Sequence, residues 1–257
     1  SEDSHGRALW SLGSAVVYLD HSGQKALATN LFKEALQVVE HFYSPRALAF
    51  SIIGLHSYLK KFSGDSDVSR ILEVISGRLF HQFETNGKPG WPWLEAALNY
   101  ANAKLPHALL LAGQSMQDRN MIERGITSLT WLLEIQTAND HFSPVGNKGW
   151  YRENGEMARF DQQPIETHAM VDACIEAFNI SGEKKWVDNA VMCFNWFLGH
   201  NDLNMVLYDP KSGGCRDGLM ADGINQNEGA ESTLACLLSH MTLQKHYADQ
   251  TLKKASL

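Results

Sequence analysis

Apolar residues along this chain recur three and four positions apart, with little sustained alternation, which is the spacing of helices and not of strands. Leu31, Ala35, Leu36 and Val39 form one such stripe, Leu48, Ile52, Leu55 and Leu59 a second, and Ile71, Val74, Ile75 and Leu79 a third. One short segment, Met205-Val206-Leu207-Tyr208, reads as a strand. The pattern predicts an all-α protein.

The predicted helices come in pairs. Ser44-Pro45 opens a helix running to about Lys61, and Ser63-Gly64-Asp65 turns the chain into a second. Leu105-Pro106 lies in a helix ending near Ala112-Gly113, with its partner starting after Asp118. Gln163-Pro164 opens a helix ending at Asn179, and Ser181-Gly182-Glu183 turns into the next. The three prolines are 61 and 58 residues apart, and the equivalent start at Asn227-Glu228-Gly229 follows 63 or 64 residues later. A fixed period of this kind marks repeated supersecondary units. Proline suits the first turn because its missing N–H has no intrahelical partner there. The stretch from Pro92 to Tyr100 also reads as helical, so Pro106 either opens a helix or kinks a longer one.

Leading helices, such as Leu48–Leu59 and Ala169–Phe178, are apolar on most of their circumference, whereas trailing ones, such as Arg70–Gln82 and Lys184–Phe197, carry a charged face. A helix apolar all round is buried, and an amphipathic one has a side in water. The packing this predicts is an α/α toroid of helical hairpins in a single domain, residues 1–257. Leu55, Leu111, Cys174 and Leu237 are expected in the inner layer, with Lys33, Arg70 and Lys185 outside. Nine helices are expected, starting near Asp3, Gln24, Pro45, Ser66, Trp93, Gln117, Pro164, Lys184 and Asn227. A closed ring of six hairpins would hold about twelve, and the N-terminal end is the expected place of the others.

Composition narrows the function. Lys plus Arg total 22 against 29 Asp plus Glu, a net charge of −7, which leaves no basic field for a nucleic acid. No apolar run has the length of a membrane span, and no signal segment opens the chain. Cys174, Cys193, Cys215 and Cys236 are too widely spaced for a metal site and are expected as buried thiols. The absence of a disulfide pattern points to the cytoplasm. Common nucleotide, metalloprotease and nucleophile-elbow motifs are missing, so neither a cofactor nor a metal is expected.

What remains is polar and collects where the leading helices begin. Glu2-Asp3-Ser4-His5-Gly6-Arg7 precedes Trp10, while Trp91, Trp93, Glu95, Asn99, Tyr100, Asn102 and His107 surround the third leading start. Arg159-Phe160-Asp161-Gln162-Gln163 precedes the fourth, with Glu166 and His168 one turn in. Asp217, Asp222 and Asn225-Gln226-Asn227 precede the fifth, with Glu228 and Glu231 just inside it. The loops before the last two are long, 27 residues from Thr137 to Gln163 and 28 from Gly199 to Gln226, and long loops are usually functional. Acids, amides and aromatics together suit a carbohydrate, whose C–H faces stack on Trp and Tyr and whose hydroxyls need polar partners.

The hairpin period, with Asp-Gln-Gln-Pro at 161–164 and Asn-Glu-Gly-Ala-Glu-Ser at 227–232, resembles the six-hairpin glycosidase superfamily. The segment Glu2 to Trp10 resembles bacterial helical domains encoded with, or fused to, glycosyltransferases. The resemblance implies an active site at the N-terminal ends of the inner helices and, for most members, glycoside hydrolysis. Lyases, epimerases and phosphorylases stand beside them. The ligand so implied is an oligosaccharide or glycoconjugate, and the protein partner a glycosyltransferase.

The carboxylates expected to do chemistry are Asp161, Glu231, Glu228 and Asp3, since glycoside hydrolysis uses a pair. Asp161 lies ahead of the cap position, whereas Asp3 can also serve as an N-cap. Glu231 enters an apolar helix and is expected as the proton donor, with Asp161 as its ionised partner. Trp91, Trp93, Tyr100, His107, Gln162, Gln163, His168, Asn227 and Arg7 are the expected sugar ligands. Two other functions fit the same residues. One is a glycan-binding or scaffolding domain without catalysis; the other is an epimerase- or isomerase-like toroid in which His107 or His168 moves protons.

Overall fold

The computed structural model describes residues 1–255, with side chains to residue 252. They divide into two compact units: residues 1–94 with 104–127, and residues 95–103 with those from 128 onward.

In the first unit the chain forms α1 (Glu2–Tyr18), α2 (Ser22–Leu36), a 3-10 turn (Val39–His41), α3 (Pro45–Lys61), α4 (Ser66–Asn86), α5 (Lys104–Met116) and the start of α6 (Arg119–Ile135). Ser1 caps α1 by accepting from the Ser4 amide, and Asp65 caps α4 by accepting from Val68. Helix α3 is buried nearly all round, from Arg46 through His56 and Tyr58, as its apolar pattern requires. It meets α1 at glycines: a β-carbon on Gly13 would stand 2.2 Å from the Gly54 carbonyl oxygen, and one on Gly54 would stand 2.5 Å from that of Leu9. Only residues without side chains let two backbones approach so closely. Leu55 and Leu111 are buried, and Lys33 and Arg70 are exposed.

The second unit begins with β1 (Ala97–Leu98) and continues from the end of α6 into β2 (Thr137–Ala138), β3 (His141–Phe142), β4 (Tyr151–Arg152), α7 (Pro164–Ser181), α8 (Lys185–Asn195), β5 (Gly218–Met220), β6 (Gly223–Asn225) and α9 (Ala230–Ala255). Strand β1 pairs antiparallel with β4, β2 with β3, and β5 with β6. Helix α7 is buried along most of its length, Cys174 included, and ends on Gly182 in the left-handed conformation at φ 71°. Helix α8 buries one face, Trp186, Val187, Ala190 and Cys193, and leaves Lys185 in solvent.

Three expectations change. The fifth helix starts at Lys104, not Trp93, so Pro106 falls in a first turn and kinks nothing. Residues 87–91 are held in a tight turn, with Lys88 and Trp91 exchanging backbone hydrogen bonds at 3.0 Å and Gly90 at φ 82°. The Met205–Tyr208 strand reduces to one bridge between Tyr208 and Cys215, while the two long loops carry every short strand but β1 among the described residues. Leu237 is 49% exposed. Helix α9 buries Ala235, Cys236, Ser239, Leu243 and His246 and turns Leu234, Leu237, Leu238 and Met241 to solvent. It is therefore half-buried, unlike α3 and α7.

Candidate functional site

Within the second unit the loop before α7 is fastened to the loop before α9. Gln162 and Leu219 exchange backbone N–H···O bonds at 2.9 Å in both directions. Gly218 allows the approach, since a β-carbon there would lie 2.6 Å from the Gln162 carbonyl oxygen. Asp217 then gathers the start of α9. Its carboxylate accepts from the Asn227 amide at 2.5 Å, from the Gly229 backbone N–H at 2.7 Å, and from Ser232. Burial pushes this carboxyl up, but those three hydrogen bonds outweigh burial and hold it below the usual carboxylate range.

These ties wall a cavity of about 390 Å³. Asp161 and Gln163 come from the loop before α7, Asn147 from the loop between β3 and β4, Met220 and Asn225 from the β5–β6 hairpin, and Glu231 and Ser232 from the first turn of α9. The structure thus brings Asp161, Gln162, Gln163 and Glu231 together. The Asp161 backbone carbonyl accepts from the Asn147 N–H at 2.8 Å, which fixes both residues on the rim.

A second network supports this wall from behind. The Asp202 carboxylate, with no exposed surface, accepts from Ser143 at 2.6 Å, from Gln162 at 2.5 Å and from Arg159 at 2.8 Å. Gln162 also donates to the Arg159 carbonyl at 3.0 Å and accepts from the Trp196 indole at 2.8 Å. Gln162 also lines the cavity, but it is buried and its side-chain amide is engaged by Asp202, Arg159 and Trp196.

The other expected residues are placed as follows. Glu231 is exposed on the second residue of α9, not sunk in an apolar helix, because the buried face of α9 begins at Ser232. The desolvation argument for it as a proton donor therefore fails. Glu228 faces Arg216 at 3.2 Å, and the structure does not bring it to the cavity. Asn227 is spent on Asp217. His168 is 4% exposed, with Nε2 3.0 Å from Asp172, whose other oxygen accepts from Thr242. Glu166 is buried and accepts from the Ala101 and Asn102 amides, so it shapes the loop ahead of α5. Tyr100 is half-buried in that loop.

Asp3, Arg7, Trp91, Trp93 and His107 belong to the first unit. Asp3 does not cap α1, a role Ser1 fills; it pairs with Arg7 at 2.7 Å, and that guanidinium lies over the Phe50 ring at 4.4 Å. Trp93 has no exposed surface and packs edge-on against Phe83 at 5.6 Å, so it has no face to offer a sugar. Trp91 and His107 are likewise buried, at 5% and 8%. The sequence reading missed Asn147 and Met220, while it placed Asp217 and Asn225 ahead of the fifth leading helix without naming them as ligands. Among the described residues no group of three or more His, Cys, Asp or Glu gathers as a metal site would require, and no helix is long and apolar enough to cross a membrane.

No family model matches this chain, and no curated protein matches it. Solved structures do match. A D-mannose isomerase superposes with a TM-score of 0.64 over 99% of this chain and 73% of its own, at 16% identity. A GH76 α-mannanase from Bacteroides thetaiotaomicron superposes at 0.63 over 98% and 70%, at 11% identity. An unsaturated glucuronyl hydrolase specific for heparin gives 0.59 over 76% and 56%, at 14% identity. The chain thus spans a little over half of the glucuronyl hydrolase and about seven-tenths of the other two. At these identities the likeness is one of fold alone, and that fold is all-α.

Proposed function

We propose that the chain is a glycoside-hydrolase-like domain of the six-hairpin kind, and that the cavity walled by Asp161 and Glu231 binds an oligosaccharide or glycoconjugate. The observation that carries the reading is the meeting of these two carboxylates, 70 residues apart in sequence, on one cavity of about 390 Å³. Asn147, Gln163 and Asn225 beside them offer both donors and acceptors to sugar hydroxyls, and Met220 an apolar surface for a C–H face. Hydrolysis needs a pair of acids. One protonates the leaving oxygen as the glycosidic bond breaks; the other attacks the anomeric carbon or takes the proton of the water that does. Asp217 is a third carboxylate, but its oxygens are engaged by Asn227, Gly229 and Ser232, which suits it to holding α9 in place. The matched mannanase and glucuronyl hydrolase act on carbohydrates by their names, which supports the substrate class.

The test is a glycan panel read both for binding and for released product. Asp161→Asn and Glu231→Gln are each expected to lower hydrolysis by about 100-fold or more, with binding nearly unchanged. Hydrolysis unaffected by both substitutions would refute the assignment.

A second reading, a glycan-binding domain without catalysis, draws support from the exposure of Glu231, since a carboxyl that must stay protonated near neutral pH is ordinarily enclosed. Binding without product from the unaltered protein would select it. A glycosyltransferase partner rests on the resemblance of the Glu2–Trp10 segment and is tested by co-purification. An isomerase-like activity fits the same fold, since a D-mannose isomerase is among the matched structures, and conversion of a free sugar to its isomer by the unaltered protein would select it.

A further inference from the structure

A second, apolar cavity of about 360 Å³ stands against α9. Thr233, Cys236, Leu237 and His240 line it from that helix, at the three- and four-residue spacing that puts side chains on one face. Phe194 comes from α8, Leu198 from the turn after it, and Tyr208 from the loop beyond. The Tyr208 backbone N–H donates to the Phe197 carbonyl at 3.3 Å, which holds that loop residue against the end of α8. Leu198, Tyr208, Leu237 and His240 are exposed, so the cavity opens to solvent. It shares no lining residue with the acidic cavity of Asp161 and Glu231, where the preceding helix residue, Ser232, is found.

Size, ring faces and charge together narrow what can bind. A cavity of about 150 Å³ holds one benzene, so this one has room for two fused rings. The Phe194 and His240 rings lie 6.0 Å apart at 31°, and Tyr208 adds a third ring to the wall, which suits a flat aromatic molecule. Among the described residues no Asp, Glu, Asn, Gln, Lys or Arg lines the cavity. An ionic ligand therefore finds no counter-charge, and a sugar finds none of the acids and amides its hydroxyls need. The polar groups present are unspent. The Thr233 hydroxyl accepts from the Cys215 backbone N–H at 3.2 Å, but its own proton has no acceptor among the described residues. The Tyr208 hydroxyl and the His240 ring nitrogens likewise make no hydrogen bond among them. A few such groups on an apolar wall are what orients a small ligand.

We propose that this cavity is a binding site for an uncharged two-ring aromatic molecule that carries a hydroxyl or carbonyl oxygen. The rings pack against Phe194, Tyr208 and His240, and the oxygen accepts the Thr233 proton. The site stands whatever the acidic cavity binds.

The probe is 2-naphthol, titrated into the full chain and followed by calorimetry and by amide NMR. One site with a Kd of about 0.1–1 mM is expected, with shifts centred on residues 194–198, 208–213 and 233–240. Leu198→Trp, at an exposed lining position, should weaken binding by about tenfold or more, whereas Met220→Trp, on the acidic cavity, should leave it unchanged. Thr233→Val should weaken it about three- to tenfold and Thr233→Ser restore it. Naphthalene-2-carboxylate, of similar size but charged, should bind about tenfold more weakly. The unaltered chain suffices for the test if a variant misfolds. Shifts centred on the acidic cavity, or no saturable binding, would overturn the site. Equal binding of the carboxylate would overturn the choice of an uncharged ligand, and full affinity in Thr233→Val would overturn the role of that hydroxyl. Self-association through residues 233–240 that 2-naphthol does not reverse would give the face to a second copy of the chain and would also overturn the site.

Discussion

Asp202 shows how one residue decides whether the candidate site exists. Burial pushes its carboxyl up, but donation from Ser143, Gln162 and Arg159 outweighs burial and holds it below the usual range. A carboxyl lowered in the folded state contributes stability that is present above its unfolded value and is lost as pH falls through the folded one. Asp202→Ala is therefore expected to lower stability by about 2–3 kcal/mol at neutral pH, since it orphans the buried Gln162 and Ser143 donors. The gap from wild type should narrow below about pH 4; chemical denaturation across pH measures it, and a gap constant down to strong acid would contradict the account. None of this was legible in the sequence. Gln162 stands beside Asp161 in a run that reads as sugar-binding, yet its partners Trp196 and Asp202 lie 34 and 40 residues away. Asp161 itself was legible, because it stands outside the cap position and has no helical duty.

Among the elements, the helical spacing was read correctly almost throughout, since burial repeats every three to four residues in α2, α4 and α8. It could not say where α5 begins, because the turn at 87–91 is fixed by a local exchange of backbone bonds and β1 by its long-range pairing with β4, neither of which shows in the side-chain pattern. Nor could it say which face of α9 is covered. Leu237 and Leu243 look equivalent in sequence, but they are 49% and 7% exposed. Leu243→Ala is expected to cost about 2 kcal/mol or more and Leu237→Ala less than about 0.5 kcal/mol. Equal losses in thermal melts would mean that α9 is buried on both faces. The α1–α3 crossing is more demanding. Gly54→Ala would push a β-carbon to 2.5 Å from the Leu9 carbonyl oxygen, backbone against backbone, and is expected to cost about 3 kcal/mol. A fully stable Gly54→Ala protein would show that the two helices can separate without loss.

At the scale of the whole molecule, a net charge of −7 and a cavity bearing Asp161, Asp217 and Glu231 favour neutral or cationic ligand groups over anionic ones. This turns the proposed function into a measurement that does not depend on catalysis. A ligand that binds only the folded protein raises its stability by about 2.7 kcal/mol at a hundred times its Kd. A neutral glycan that occupies the acidic cavity should give the wild type that increment. Met220→Trp fills the same cavity from its half-buried lining position on β5, so it should abolish the increment while leaving the sugar-free melting midpoint near that of wild type. A bulky change at Leu198, on the apolar cavity, should leave the increment in place. The sugar would have to bind elsewhere if it still stabilised Met220→Trp fully, and the two-carboxylate reading would fall with the site. If Met220→Trp alone loses the increment, Asp161 and Glu231 stand where a bound sugar meets them.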